Sequence, residues 1–71
     1  MTPHPPGYRL AGKVRLGQTV LVRRRYRHRP YDYYYQRGKV EILRAGEVVV
    51  RVYGYELVVA FADLFTKIKD I

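Results

Sequence analysis

The chain has 71 residues, of which 48% are hydrophobic and 28% are charged, and its formal net charge at pH 7 is +8. A chain of this length can form one small domain with a single hydrophobic core. The absence of cysteine excludes disulfide bonds, thiolate zinc sites and catalytic thiols, and the absence of serine excludes serine nucleophiles.

The first eight residues are predicted to form a mobile, proline-rich tail. Three prolines lie between Thr2 and Gly7, and proline fixes φ and lacks an amide donor. We therefore assign residues 1–8 to a tail and residues 9–71 to one domain. The tail lacks the charged and apolar regions of a signal peptide, and apolar runs elsewhere are too short to cross a bilayer. We expect a cytoplasmic protein that does not bind membranes.

The middle of the chain alternates between apolar and other residues with the period of a β-strand. A turn at Gly17-Gln18 precedes the first of these strands, in which Val20 and Val22 share one face. In later strands the residues expected to share a face are Val40 with Ile42, then Val48 with Val50 and Val52, then Tyr55 with Leu57, Val59 and Phe61. Three glycines are interpreted as turn residues, namely Gly38, Gly46 and Gly54.

Two interpretations fit the C-terminal segment. Phe61, Leu64, Phe65 and Ile68 have the i, i+3, i+4, i+7 spacing of an amphipathic helix. The same residues fit a short 3₁₀ turn at residues 62–65 followed by a last strand at residues 66–69, and this alternative suits a barrel better.

About five short antiparallel strands with short connections predict an all-β domain, specifically a small closed barrel. The exception among the connections is residues 27–35, which are predicted to form a long loop. Long loops on a compact scaffold often hold binding residues. An edge strand left unpaired by the barrel would allow a homodimer.

The order of these segments resembles that of SH3-like barrels, including the KOW-type modules of ribosomal and transcription proteins. A glycine-led strand, a long first loop, a glycine-valine strand and a terminal turn with a strand follow one another in such barrels. The matching segments here are residues 17–22, 38–42, 48–52 and 59–64, and the resemblance covers residues 13–69. It implies the SH3-like fold and, from the KOW-type relatives, a partner such as RNA or the transcription and translation machinery.

Other SH3-like families imply other functions. Small barrels of photosynthetic electron-transport complexes use a basic surface to dock acidic ferredoxin. The type II dihydrofolate reductases are also SH3-like and carry a Val-Gln-Ile-Tyr strand in their pore. The comparable segment here is Val58-Val59-Ala60-Phe61, and its lack of the glutamine and the tyrosine argues against that enzyme.

The segment from Arg23 to Arg37 carries the clearest functional signal. It contains six arginines and five tyrosines but only one acidic residue, Asp32. Guanidinium groups pair with phosphate or carboxylate oxygens, and tyrosine rings stack on bases. The candidate binding residues are Arg23, Arg24, Arg25, Tyr26, Arg27, Arg29, Tyr31, Tyr33, Tyr34, Tyr35 and Arg37.

These residues predict a non-enzymatic module that binds nucleic acid, with single-stranded RNA or DNA preferred over duplex. For about six phosphate contacts on a single strand, a plot of the logarithm of the binding constant against the logarithm of the salt concentration should have a slope near −4. We call this the log–log salt slope. The alternative is a basic docking subunit that binds an acidic protein, such as the transcription machinery or a ferredoxin-like carrier, within a larger complex. No metal site, cofactor or catalytic constellation is expected, since His4 and His28 have no ligand partners at suitable spacing.

Overall fold

A computed structural model describes residues 5–68 of the chain. They form six strands and one 3₁₀ turn: β1 (Tyr8–Leu10), β2 (Thr19–Arg25), β3 (Tyr33–Arg44), β4 (Glu47–Val52), β5 (Tyr55–Ala60), the turn Phe61–Asp63 and β6 (Leu64–Lys67). All recorded strand pairs are antiparallel, and their order in the sheet is β1-β6-β2-β3-β4-β5. The all-β prediction is confirmed.

The predicted closed barrel is not present as a continuous hydrogen-bonded sheet. Within residues 5–68, β5 pairs only with β4 and β1 pairs only with β6. The strand count is six instead of about five because the sequence pattern does not predict β1. Its three residues are too few to show an alternating pattern, and it begins at Tyr8, inside the segment assigned to the tail. Residues 1–4 of that tail lie outside the described part of the chain.

The hydrophobic core follows the predicted alternation of β2, β4 and β5. Side chains on one face of these strands are buried, and in β4 the intervening Val49 is buried as well, at 4% exposure. The core contains Ala11, Val20, Val22, Val40, Val48, Val50, Val52, Val59 and Leu64. Full burial of a valine or leucine side chain contributes about 1.5–3 kcal/mol, so this valine-rich cluster stabilises the sheet.

Gly38 lies in the interior of β3, so its interpretation as a turn residue is wrong. It faces Val20 of β2, and a Cβ atom at this position would lie 2.6 Å from the carbonyl oxygen of Arg51 and 2.6 Å from Cγ1 of Val50. The backbone of β3 therefore approaches β4 more closely than a side chain permits. Gly46 and Gly54 do lie in turns and have positive φ angles of 79° and 94°.

A register shift in β3 shows that the prediction of Val40 and Ile42 on the same face of the strand is wrong. Val40 is opposite Val50, but Ile42 is opposite Val49, so Glu41 has no partner residue across the strand pair. Such a bulge reverses the facing of every residue that follows it. Val40 is consequently buried, whereas Ile42 is 39% exposed.

The C-terminal segment adopts the turn-and-strand alternative instead of the amphipathic helix. The 3₁₀ turn begins at Phe61, one residue before the predicted start, and the strand begins at Leu64, two residues early. Leu64 and Phe65 are both fully buried. Residue 69, the predicted strand end, lies outside the described residues. No helix in the described part of the chain is long and apolar enough to span a membrane.

Candidate functional site

Most of the arginine- and tyrosine-rich segment forms a two-stranded ribbon. Across the pair β2–β3, Arg23 is opposite Tyr35, Arg24 is opposite Tyr34, and Arg25 is opposite Tyr33. The predicted loop at residues 27–35 is therefore too long, because the connection between the strands comprises only residues 26–32. We call the segment from Arg23 to Arg37 the arginine–tyrosine ribbon.

On one face of the ribbon, two guanidinium groups contact one tyrosine ring. The Cζ atom of Arg23 lies 4.9 Å from the ring centroid of Tyr33, and Cζ of Arg25 lies 5.5 Å from the same centroid. These are cation–π distances, and each such contact is worth about 0.5–1 kcal/mol at an exposed site. The register places Tyr33 and Tyr35 at alternate positions of β3, so that their side chains share one face and Tyr34 lies on the other.

Arg23 is directed into the fold and not toward solvent. Its side chain is only 10% exposed, and Nε and Nη2 both donate to Oδ1 of Asp63, at 3.1 and 2.7 Å. Nη2 also lies 3.3 Å from the carbonyl oxygen of Ala62, and Cζ lies 5.8 Å from the ring centroid of Phe65. The positive charge of this predicted binding residue thus joins β2 to the 3₁₀ turn.

Arg24 belongs to a polar chain on the core-facing side of the ribbon. Its Nη1 donates to Oε1 of Gln36 at 3.1 Å, and Nε2 of Gln36 donates to the hydroxyl of Tyr55 at 3.0 Å. This chain connects β2, β3 and β5, although β5 has no recorded strand pairing with β2 in residues 5–68. Sequence reasoning missed Gln36 and Tyr55, although Gln36 continues the inward-facing positions of β3.

The tip of the ribbon is ordered by a second set of ring contacts. The rings of Tyr26 and Tyr34 are 4.8 Å apart at their centroids, and Cζ of Arg29 lies 4.6 Å from the Tyr26 centroid. Asp32 pairs with Arg29 at 3.5 Å, and its backbone amide donates to the carbonyl of Arg29 at 2.9 Å. Tyr31, by contrast, is 91% exposed, so its ring faces are available to a ligand.

The charge of the ribbon is only partly compensated. Its two neighbouring acids, Asp32 and Asp63, are bound to Arg29 and Arg23. Three further arginines are exposed and form no ion pair with any residue in the range 5–68, namely Arg25, Arg27 and Arg37. The exposed surface is therefore positive, as a polyanion-binding surface requires.

Acidic side chains collect instead around Arg51 of β4. This guanidinium binds Glu41, and its Nη2 lies 3.6 Å from Oε2 of Glu56. The hydrogen bond from Arg51 lowers the pKa of the Glu41 carboxyl. The adjacent Glu41 carboxylate raises the pKa of Glu56, because a hydrogen bond between the two carboxyl groups needs a proton on Glu56.

Among residues 5–68, no group of three or more histidine, cysteine or acidic side chains could hold a metal ion. His28 is exposed at the ribbon tip, and His4 lies outside the described residues. Comparisons with known proteins give no relative: no protein-family model, curated protein or solved structure matches the chain.

Proposed function

We propose that the chain is a non-enzymatic module that binds single-stranded nucleic acid through the arginine–tyrosine ribbon. The observation that carries this proposal is the β2–β3 register, which sets each of three arginines opposite a tyrosine. Positive charge attracts the phosphate backbone, and aromatic faces accept bases without sequence preference. A surface that combines the two suits a single strand better than a duplex, whose bases are already stacked on one another.

The contribution of each group follows from its environment. Arg25, Arg27 and Arg37 are exposed and serve as the phosphate contacts, whereas Arg23 and Arg29 are bound to acids. About three phosphate contacts correspond to a log–log salt slope near −2 on a single strand. Tyr31 is the most exposed ring of the ribbon, and a base stacked on it would add about 1–3 kcal/mol. Tyr33 acts mainly by holding Arg23 and Arg25 in place.

We further infer that the fold is SH3-like. The order β6-β2-β3-β4-β5 supports this, as do the long β3 with its glycine and bulge and the 3₁₀ turn between β5 and β6. The polar chain from Arg24 through Gln36 to Tyr55 connects strands that a barrel would bring together. KOW-type modules of that fold class offer a functional resemblance, and a fold alone does not fix a function.

The experiment that tests the proposal is a fluorescence-anisotropy titration of labelled single-stranded RNA, single-stranded DNA and duplex DNA at several salt concentrations. Arg25→Gln should weaken binding and reduce the salt slope by about 0.7. Arg44→Gln is the matched control, because it removes the same charge from an exposed position at the far end of β3. Equal effects of the two substitutions would mean generic charge attraction and would reject a ribbon-specific site.

A second candidate, docking of an acidic protein, is favoured by the covered ring faces. Guanidinium groups already lie over Tyr33 and Tyr26, which leaves fewer faces for bases. The open edge of β5, where Val58 is 61% exposed, could pair with a partner strand or with a second copy of the chain. This candidate predicts negligible oligonucleotide affinity at physiological salt and a saturable complex with an acidic protein.

A further inference from the structure

A second basic surface lies at the end of β2 opposite the ribbon tip. It is a cleft of about 670 Å³ lined by Arg9, Lys13, Val14, Arg15, Gln18, Thr66, Lys67 and Ile68. A depression of about 460 Å³ adjoins it and shares Arg9, Lys13 and Thr66 as lining residues. We call these lining residues together the basic cleft. None of them belongs to the arginine- and tyrosine-rich segment.

Backbone pairing and a short turn build the basic cleft. The pairing of β1 with β6 sets Arg9 opposite Thr66. On the other wall, the amide of Arg15 donates to Oε1 of Gln18 at 2.9 Å, and the amide of Gln18 donates to the carbonyl of Arg15 at 3.1 Å. The amide of Gly17 donates to the carbonyl of Val40 at 2.7 Å, which fixes this turn to β3. The walls are therefore formed before any ligand arrives.

The electrostatics of the basic cleft favour an anion. Four cationic side chains line it, and none of the lining residues that the structure describes, within 5–68, carries a carboxylate. Within residues 5–68, the cations that form ion pairs are Arg23, Arg29 and Arg51, and none of them lines the cleft. Like charges held close together repel, and a phosphate group relieves that repulsion while accepting hydrogen bonds from arginine forks and lysine ammonium groups. The hydroxyl of Thr66 is a further donor.

The position of the basic cleft relates it to the ribbon. Gln18 of the cleft precedes β2, and Arg25 ends it. The six residue steps from Thr19 to Arg25 span about 20 Å, at about 3.3 Å per residue. On the neighbouring strand, Lys39 is opposite Thr19 and Arg37 is opposite Leu21, and both are exposed. Positive charge is thus distributed along β2 and β3 between the two surfaces.

We propose that the basic cleft is a second phosphate-binding site and that it holds the backbone of the same strand that contacts the ribbon. This inference rests on the proposed function, because it extends one binding track from the ribbon tip to the cleft. It predicts a dependence on length. An oligonucleotide of about 4 nucleotides reaches one surface only, whereas one of about 12 nucleotides reaches both, and these lengths fall within the known site sizes of about 4–16 nucleotides.

The test measures the affinity and the log–log salt slope for single strands of about 4 and about 12 nucleotides. The proteins compared are the intact chain, the cleft variants Arg15→Gln and Lys67→Gln, and the control Arg44→Gln. Three ribbon contacts and four cleft contacts give a slope near −5 for the long strand, against about −2 for a short strand on the ribbon. Each cleft substitution should weaken long-strand binding about two- to fivefold and leave short-strand binding to the ribbon unchanged. Unchanged melting temperatures would show that the variants are folded.

Two outcomes would overturn the inference while leaving the proposed function intact. In the first, cleft variants bind the long strand like Arg44→Gln, and binding still depends on Arg25. In the second, pyrophosphate shifts the amide resonances of residues 15–18 and 66–68 in a ¹H–¹⁵N NMR titration, but the long strand gains nothing from its length, which would assign the cleft to a free phosphate compound. Failure of every oligonucleotide to bind at any length would instead reject the proposed function, and this inference with it.

Discussion

Arg23 and Asp63 are 40 positions apart in the chain, and their side chains meet at 2.7 Å between Nη2 and Oδ1. The pair joins the middle of β2 to the 3₁₀ turn that leads into β6. The Arg23 side chain is nearly buried, and its Nη1 has no hydrogen-bonding partner among the described residues. The Asp63 carboxylate thus supplies the negative charge that compensates the nearly buried guanidinium of Arg23.

Asp63→Asn should lower the free energy of unfolding by about 1–3 kcal/mol, because it leaves the Arg23 guanidinium without its anion. The value is below that of a fully buried pair, since the Asp63 side chain is 41% exposed. Urea denaturation followed by circular dichroism measures the change. In a double-mutant cycle with Arg23→Met, the second substitution should recover part of the loss. Strictly additive effects would contradict coupling between the two residues.

Gly38→Ala should lower the free energy of unfolding by about 2–3 kcal/mol or prevent folding, because the new Cβ would overlap the backbone of β4 at Arg51. Gly12→Ala is the matched control, since a methyl group at that position would have no atom within 4 Å and its φ angle is not in the left-handed region. Thermal unfolding of both variants measures the difference. Equal stability of the two variants would mean that the close approach of β3 to β4 is absent.

The carboxyl groups of Glu41 and Glu56 should titrate on opposite sides of the ordinary glutamate value of 4.5. The lowered pKa of Glu41 contributes stability above the unfolded-state pKa, and this contribution is lost as the pH falls through the folded-state pKa. The raised pKa of Glu56 has the opposite sign: its contribution is present below the unfolded-state pKa and is lost as the pH rises through the folded-state value. A ¹³C NMR titration of the carboxyl groups measures both.

Arg51→Gln tests the cause of these shifts. It removes the hydrogen bond that lowers the pKa of Glu41, so that the pKa of Glu41 should rise. Glu47→Gln is a suitable control, because it removes an acid from the same strand and leaves the recorded hydrogen bonds of Glu41 intact. A Glu41 pKa that does not respond to Arg51→Gln would assign the shift to another group.

Local pattern is sufficient to predict much of the core. Val20 and Val22, and the three alternating valines of β4, are buried as their period of two indicates. The close approach at Gly38 and the bulge at Glu41 could not be predicted, because both depend on how β3 meets β4 and leave no trace in either strand alone. Because Glu41 has no partner residue in β4, Ile42 lies on the face opposite to the one that the alternation predicts.

The candidate site is predictable in composition but not in geometry. Tyr33, Tyr34 and Tyr35 fit a loop as well as a strand because three identical residues carry no alternation, and only the pairing with β2 shows that they form a strand. The use of Arg23 within the fold depends on Asp63, which is distant in sequence. The basic cleft leaves no signal in the sequence because its cations come from three separate segments, each with an ordinary local charge.

Base stacking on the ribbon is tested most sharply by the affinity of Tyr31→Ala for a labelled single-stranded oligonucleotide, compared with that of Tyr53→Ala. Both tyrosines are almost fully exposed, at 91% and 87%, but Tyr53 lies in the turn between β4 and β5 and outside the arginine- and tyrosine-rich segment. Loss of one stacked base corresponds to about a 5- to 150-fold weakening. We expect such a loss for Tyr31→Ala and unchanged affinity for Tyr53→Ala. Equal affinities of the two variants and the intact chain would contradict base stacking on the ribbon.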